Sequence, residues 1–231
     1  IAETLLPFDA GLPYWRGLLA GLVNTVRAVL CGLVGSTVLG TLVGMAAFSS
    51  NGLLRGLARS YVELVRNIPL LLQLVFWYFV VFLALPNGVW QAPLRLTVEF
   101  CALLTGLVVY SGAFIAEVVR GGIASVPRGQ WEAAGSLGLS WFTTLRRVVL
   151  PQALRVIVPG LNTQYISLAK NSSLAVAVGY TDLYSVAETT LNQTGRAVEV
   201  VLVLLGAYLG MDLLISLLMN GLNRLVQLRE R

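Results

Sequence analysis

Charged residues are missing from three long stretches of this chain. None occurs from Ala28 to Leu54, from Asn67 to Leu94 or from Phe100 to Ala116. A helix that crosses the apolar core of a bilayer needs about 20 mostly apolar residues, so the first two stretches are long enough and the third is nearly so. Ten-residue segments of alternating polarity, as in outer-membrane barrels, are absent from the sequence. The sequence therefore predicts an all-α integral membrane protein.

Two less apolar segments complete the predicted bundle. One runs from Val148 to about Ala169, and the other from about Val198 to Asn220. Polar interruptions such as Arg155 in the first are tolerated where protein or a water-lined cavity supplies partners. A soluble domain is excluded, because 57% of the 231 residues are hydrophobic and only 12% are charged. The predicted fold is five transmembrane helices within residues 18–231.

Small residues recur at every fourth position in the first and last predicted spans. Such residues let two helix backbones approach closely. We expect this packing to occur within the chain rather than at a dimer seam. The residues are Gly32, Ser36, Gly40 and Gly44 in the first span and Gly206 and Gly210 in the last.

The basic residues predict how the bundle is oriented. Four fall on one side of the predicted bundle, namely Arg16, Arg95, Lys170 and Arg196. Nine fall on the other side, namely Arg55, Arg59, Arg120, Arg128, Arg146, Arg147, Arg224, Arg229 and Arg231. Cytoplasmic loops carry the excess of Lys and Arg, so the second side is predicted to be cytoplasmic. The segment 1–17 is then outside, in the periplasm, and the C-terminus is inside.

A charge-rich segment, residues 121–147, separates the third and fourth predicted spans. Ser125 or Pro127 can start a short helix there, and Gly138 can end it because glycine tolerates the left-handed conformation of a helix cap. Ser140 can then cap a second helix, which Pro151 kinks or restarts. The segment therefore predicts two short helices joined at a glycine elbow, on the cytoplasmic side.

Several catalytic sites are excluded by missing residue types. The chain has no histidine, so it has no Ser-His-Asp triad and no histidine-ligated metal. It has no Gly-x4-Gly-Lys-Ser/Thr loop for ATP hydrolysis, and the acids near its spans are scattered. Its arginines lie in separate loops and form no stripe for nucleic acid. We therefore expect no enzyme activity and no bound metal, cofactor or nucleic acid on this chain.

The elbow resembles a known motif. The run Glu132-Ala133-Ala134 with Gly138 and the later Val148-Val-Leu150-Pro151 are similar to the E-A-A-x3-G-x9-I-x-L-P loop of binding-protein-dependent ABC import permeases, with Val148 in place of isoleucine. The resemblance implies a type I ABC importer permease whose elbow inserts into a cleft of a separate ATPase. It implies that this contact is made by Pro127, Gln130, Glu132, Ala133, Ala134, Gly138, Leu150 and Pro151.

Four further stretches narrow the resemblance. Residues 61–73, 110–123, 168–174 and 192–195 are similar to polar amino acid permeases, and most of all to the Q-type subunit of bacterial general L-amino-acid importers. The resemblance implies a place in the bacterial inner membrane and an amino acid substrate. It also implies a dimer of ATP-binding subunits that uses ATP and Mg²⁺, a second and different permease subunit, and a periplasmic binding protein. In this family a helix precedes the stretch that Ile1 opens, so we expect that helix to be missing here.

Polar residues at the start of the second span and in the third are candidates for the substrate path. Glu63 and Arg66 share one helix face, where a simple ion pair is favoured over a gate. Pro69 predicts a kink directly after them. An acid inside a span is costly, so Glu117 either neutralises a buried Arg120 or faces a cationic substrate.

The fourth and fifth spans supply further candidates. Lys170 is the only lysine, and it can either snorkel to the interface or handle a zwitterion together with the polar run that follows it. Asp212 either pairs with an arginine of a neighbouring helix or faces a water-filled cavity. The path candidates are Glu63, Arg66, Asn67, Gln73, Glu117, Lys170, Asn171, Ser172, Ser173 and Asp212.

Two other transport functions are weighed against the amino acid importer. A permease for another small polar solute would share every feature described so far. An ion-coupled secondary carrier would need internally repeated broken helices and intramembrane acids, and the sequence shows no internal repeat. We expect an importer subunit that moves polar or general L-amino acids.

Overall fold

The structure is a computed structural model that describes residues 14–84 and 97–227. The predictions for segment 1–13, Arg95, Arg229 and Arg231 lie outside the described residues. All regular structure in the described residues is helical. The helices are α1 (Tyr14–Ala46), α2 (Gly52–Arg66), α3 (Leu70–Val75), α4 (Val98–Ala124), α5 (Arg128–Ser136), α6 (Trp141–Thr144), α7 (Leu150–Asn171), α8 (Leu183–Thr194) and α9 (Ala197–Val226). Helix α3 continues into a π-helical stretch Phe76–Phe82, α6 into a π-helical stretch Leu145–Val149, and α7 into a 3₁₀ stretch Ser172–Val178.

Three of these helices, α1, α4 and α9, are long and apolar enough to cross a membrane, and a fourth span exists if α2 and α3 are one broken span. Helix α7 has 22 residues, about 33 Å at 1.5 Å per residue. It lies where the fourth span was predicted and, as expected, is less apolar than the other three. The expectation that the last span is also less apolar is wrong, because α9 has a mean hydropathy of 2.3 against 1.9 for α1 and for α4. The all-α membrane fold is confirmed, and the count of five spans stays a prediction.

Helix α4 is the central helix of the bundle. In the most apolar stretch of α4, 56% of the residues are buried by the rest of the chain, against 33% in α1 and 6% in α9. The N-terminal half of α4 packs on α3 and on the 3₁₀ stretch through Leu103 and Leu107. Its C-terminal half packs on the start of α7 through Ile115 and Val119. Val126 of the segment that carries the predicted elbow belongs to the same apolar cluster, so that segment packs directly against the end of α4.

Gly40 and Gly44 of α1 face α4, whereas Gly32 faces Leu168 of α7. A Cβ atom added at Gly40 would lie 2.6 Å from a side-chain carbon of Ile115, and one added at Gly44 would lie 2.7 Å from the carbonyl oxygen of Ala116. The expected packing within the chain is confirmed for α1. It is wrong for Gly206 and Gly210, because an added Cβ meets no described atom within 4 Å at either position.

The chain bends by 104° between α2 and the segment Leu70–Phe82. Pro69 has no backbone N–H and directly precedes α3. The side-chain amide of Gln73 donates hydrogen bonds of 2.9 Å to the carbonyl oxygens of Val65 and Ile68, near the end of α2. The predicted break is confirmed. Residues 61–73 therefore cross the predicted kink, where Gln73 satisfies two backbone carbonyls near the end of α2.

Helix α8 is fastened to α1 at the other end of the bundle. Asp182 caps α8, since its Oδ1 accepts a 2.9 Å hydrogen bond from the Ser185 N–H. The Thr25 hydroxyl of α1 accepts a hydrogen bond of 2.9 Å from the Leu183 N–H. A Cβ at Gly21 would lie 2.9 Å from the Asp182 carbonyl oxygen, so only glycine allows this approach. Asp182 itself is 1% exposed, and burial raises the pKa of its carboxyl to about 6.

Candidate functional site

The predicted elbow is present between α5 and α6. Pro127 precedes α5, and Gly138 has φ +72°, the left-handed conformation expected of it. The Gly138 N–H donates to the Gly135 carbonyl at 2.9 Å and the Leu139 N–H to the Ala134 carbonyl at 3.1 Å, which together form a Schellman cap. Ser140 then caps α6 through a 3.3 Å hydrogen bond from the Thr143 N–H. The turn geometry is therefore set by hydrogen bonds local to the segment.

The bounds of the elbow segment differ from the prediction in one respect. Residues 121–124 complete α4, so the segment of short helices begins after Ala124 rather than at residue 121. Pro151 lies in the first turn of α7, after the π-helical stretch, and restarts the helix there. The chain is helical from Trp141 to Asn171, with Pro159 inside α7.

Seven of the eight predicted ATPase-contact residues are exposed in the described structure, and Ala134 is buried at 3% exposure. Trp131, three residues before it on α5, packs against the apolar cluster at the end of α4. The Gln152 side chain of α7 donates a 3.3 Å hydrogen bond to the Gln130 side chain of α5. The exposed residues are Pro127, Gln130, Glu132, Ala133, Gly138, Leu150 and Pro151.

Three large apolar side chains at the elbow were not predicted as contact residues. Leu137 is 79% exposed, Trp141 is 58% exposed and Phe142 is 64% exposed. They flank Gly138 and Ser140 at the tip of a polar loop, where no other described residue covers them. Their apolar character within a charge-rich segment was the signal that could have identified them.

A second feature is a charged cavity of about 400 Å³ beside the C-terminal half of α4. It is bounded by the residue after α1, by α2 and by α4. It brings together three of the predicted path residues, Glu63, Arg66 and Glu117, and adds Arg59 and Arg120 to them. The apolar lining residues are Ala47, Val62 and Ala116. Because α4 continues for only four residues beyond Arg120 before the elbow segment, the cavity lies on the elbow side of the bundle.

Glu117 and Arg120 form a two-point ion pair within this cavity. The Arg120 Nε donates to Glu117 Oε2 at 2.9 Å, and Arg120 Nη2 donates to Glu117 Oε1. Of the two alternatives given for Glu117, neutralisation of Arg120 or contact with a cationic substrate, the structure shows the ion pair with Arg120. Both side chains are about one third exposed, so Arg120 is not buried as expected.

Glu63 and Arg66 do not form the ion pair that their spacing suggested. Among the described residues the ion pairs are Glu117–Arg120 and Lys170–Asp212. The Arg66 guanidinium instead lies over the ring of Phe114 on α4, 5.0 Å from its centre. An i,i+3 pair on an exposed helix gains little, and the aromatic ring on the neighbouring helix holds the guanidinium instead.

Asn67 and Gln73 have a structural role at the bend. The Asn67 side chain donates a 2.7 Å hydrogen bond to the Glu63 carbonyl, and the Gln73 side chain holds the two carbonyls described above. Their side-chain N–H groups therefore bind backbone carbonyls at the C-terminal end of α2. Neither residue lines the charged cavity.

Lys170 and Asp212 form the second charged group. Lys170 Nζ lies 3.5 Å from Asp212 Oδ2, so Asp212 pairs with a lysine of α7 and not with an arginine. The lysine side chain is 62% exposed and the aspartate side chain 15%. The hydroxyls of Ser172 and Ser173 donate to the carbonyls of Ala169 and Lys170, at 2.7 and 2.8 Å. Asn171 lies beside them, half-buried.

The comparisons with known proteins agree with this geometry. Residues 36–231 match the model of the binding-protein-dependent transport system inner membrane component family. The chain belongs to this family. Family membership makes it a multi-pass inner membrane component of an ABC transport system, and it confirms the resemblance and the fold class inferred from the elbow.

Individual relatives extend the match over the whole chain. The putative amino-acid ABC transporter permease protein YhdX of Escherichia coli K12 is 35% identical, over 100% of this chain and 83% of the relative. The general L-amino acid transport system permease protein AapQ of Rhizobium johnstonii is 33% identical, over 100% of this chain and 82% of the relative. A crystal structure of an amino acid ABC transporter with histidines superimposes with a TM-score of 0.77 at 30% identity, covering 95% of this chain and 98% of that one.

Proposed function

We propose that this chain is the permease subunit of an ATP-driven, binding-protein-dependent importer of polar or general L-amino acids. The observation that carries the proposal is the elbow, in which a Schellman cap presents exposed Leu137, Trp141 and Phe142 beside Glu132. An exposed turn with these apolar side chains is suited to bind in a cleft of a separate ATPase. The names of relatives that span this chain support an amino acid as the substrate.

The proposal includes the rest of the assembly. The elbow side of the bundle faces the cytoplasm, as the nine basic residues on that side support. Two ATP-binding subunits, which hold ATP and Mg²⁺, dock there. A second and different permease subunit completes the path, and a periplasmic binding protein delivers the amino acid. This chain itself performs translocation and no hydrolysis.

The proposed path includes the two charged groups. The cavity of Glu63, Arg66 and Glu117 lies near the elbow, and the pair Lys170–Asp212 joins α7 to the middle of α9. Charged residues inside a membrane bundle mark solute pathways. Family membership argues against the ion-coupled secondary carrier. The solute itself is the point to be tested.

The experiment compares two equally exposed tryptophans in the complex with the partner ATPase. Trp141 is 58% exposed at the elbow, and Trp15 is 56% exposed at the start of α1. A tryptophan at the centre of a protein interface is commonly worth at least about 2 kcal/mol, a loss of about 30-fold in affinity. We expect Trp141→Ala to weaken ATPase binding by that amount and to abolish uptake in proteoliposomes. The control Trp15→Ala should keep the ATPase affinity.

Two outcomes would contradict parts of the proposal. Wild-type ATPase affinity and uptake in a Trp141→Ala complex would show that the elbow is not the docking contact. Uptake of a polar solute other than an amino acid by the wild-type complex, with no uptake of any L-amino acid, would replace the substrate and leave the permease assignment in place.

A further inference from the structure

The charged cavity beside α4 contains more unpaired positive side chains than unpaired negative ones. The ion pair Glu117–Arg120 uses both of its charges internally. Of the other charged lining residues, Arg59, Glu63 and Arg66 form no ion pair in the described part of the chain. Two guanidiniums and one carboxylate are therefore available to a ligand. Their net charge is +1.

The space and the geometry suit a small molecule. A volume of about 400 Å³ lies within the range of about 300–1,000 Å³ that is typical of small-molecule sites. Guanidinium groups bind carboxylates with paired hydrogen bonds. The Arg66 guanidinium is held over Phe114, which limits its freedom while its N–H groups remain in the plane of the group. Such a fixed donor loses less conformational entropy when it binds a carboxylate.

We propose that this cavity binds an acidic α-amino acid, with one carboxylate on Arg59, the other on Arg66 and the ammonium group on Glu63. This inference rests on the proposed function and assigns the substrate class of its path. An acidic amino acid carries two carboxylates and one ammonium group, which matches the three free charges one for one. A neutral amino acid leaves one guanidinium without a partner, and a basic one adds a second cation to a site that is already positive.

The site also differs from a site for a lipid phosphate. A phosphate group would use the guanidiniums and would leave the Glu63 carboxylate facing an anion, which is unfavourable. The carboxylate of Glu63 is the observation that favours a ligand with an ammonium group. The test below therefore distinguishes binding of an amino acid from binding of a lipid headgroup.

The test measures binding of L-glutamate, L-glutamine and L-arginine to the purified permease complex in the absence of the binding protein, so that its selectivity does not enter. The wild type is expected to bind glutamate at least tenfold more tightly than glutamine, and arginine least tightly. Arg59→Gln should remove most of the difference between glutamate and glutamine. The matched control is Arg55→Gln, because Arg55 lies one turn earlier on α2 and does not line the cavity.

A second probe isolates Glu63. Glutarate has both carboxylates of glutamate and no ammonium group. Glu63→Gln should weaken glutamate binding about tenfold and should not weaken glutarate binding. This pattern distinguishes a ligand contact from a loss of structure, because misfolding would weaken both ligands together.

Three results would overturn the inference. They are equal affinity of the wild type for glutamate and glutamine, an equal loss of both ligands in Arg59→Gln, and stabilisation by phosphatidylglycerol vesicles with no effect of glutamate. Each can occur in a complex that still drives ATP-dependent uptake of amino acids, in which case only the assignment of this cavity fails. If no L-amino acid is taken up at all, the proposed function fails instead.

Discussion

The conformation of Gly138 gives the sharpest prediction. Its φ of +72° is a conformation in which a residue with a Cβ atom is strained by about 1–2 kcal/mol. A Cβ added at Gly138 meets no described atom within 4 Å, so the whole cost of Gly138→Ala comes from the backbone and none from a clash. Since 1.4 kcal/mol corresponds to a factor of ten, we expect the equilibrium constant between the docking-competent elbow and its other conformations to fall by about five- to thirty-fold.

The matched control is Gly129, which lies in the first turn of α5 and also has open space around an added Cβ. Its φ is not in the left-handed region, so Gly129→Ala should be neutral or slightly stabilising. Gly138→Asn should fall between glycine and alanine, because asparagine tolerates the left-handed conformation better than other residues. The expected order of activity at position 138 is Gly, then Asn, then Ala.

The assay has two parts. The affinity of the purified permease for its ATPase measures docking directly, and ATP-dependent uptake in proteoliposomes measures coupling. The amount of protein in the membrane should not change, because the strain is confined to an exposed turn. Equal affinity and uptake for Gly138→Ala, Gly129→Ala and the wild type would refute the argument that the left-handed turn sets the docking geometry.

Three further predictions concern topology, pH and packing. In a cysteine-free background, a cysteine at Arg128 should be protected from a membrane-impermeant thiol reagent added outside intact cells and one at Arg196 should react; the reverse pattern would overturn the orientation. Burial raises the pKa of Asp182 to about 6 from 3.8, so the folded state binds more protons between these values and loses stability as pH rises from about 4 to 6. The loss is at most about 3 kcal/mol, at 1.36 kcal/mol per pKa unit. Asp182→Asn keeps an oxygen for the helix cap and should be increasingly more stable than the wild type over that range, measured by thermal unfolding in detergent, and parallel pH profiles would contradict this. Gly40→Leu should destabilise the protein by about 1–3 kcal/mol in the same assay, because it overpacks the contact of α1 with α4. The control Gly206→Ala should not destabilise it. Equal effects of the two substitutions would refute the packing argument.

The sequence alone determined the features that depend on neighbouring residues. Pro127, Gly138 and Ser140 specified the elbow, because each residue acts on backbone groups within a few positions along the chain. Pro69 specified the break before α3 for the same reason. The apolar stretches specified a helical membrane protein, since the thickness of the bilayer fixes the length of a spanning helix. The four-residue spacing in α1 correctly indicated close packing, although the sequence did not name α4 as the partner.

The tertiary structure decided which distant charges meet. Lys170 and Asp212 are on different helices, and no local spacing rule predicts their 3.5 Å contact. The Glu63–Arg66 spacing suggested an ion pair, and the ring of Phe114 on another helix takes the guanidinium instead. Local rules rank only interactions within one helix, where an exposed ion pair is worth a few tenths of a kcal/mol. A contact from a neighbouring helix easily exceeds that energy, so the composition of the charged cavity depends on the packing of α2 against α4 and could not be deduced from the sequence.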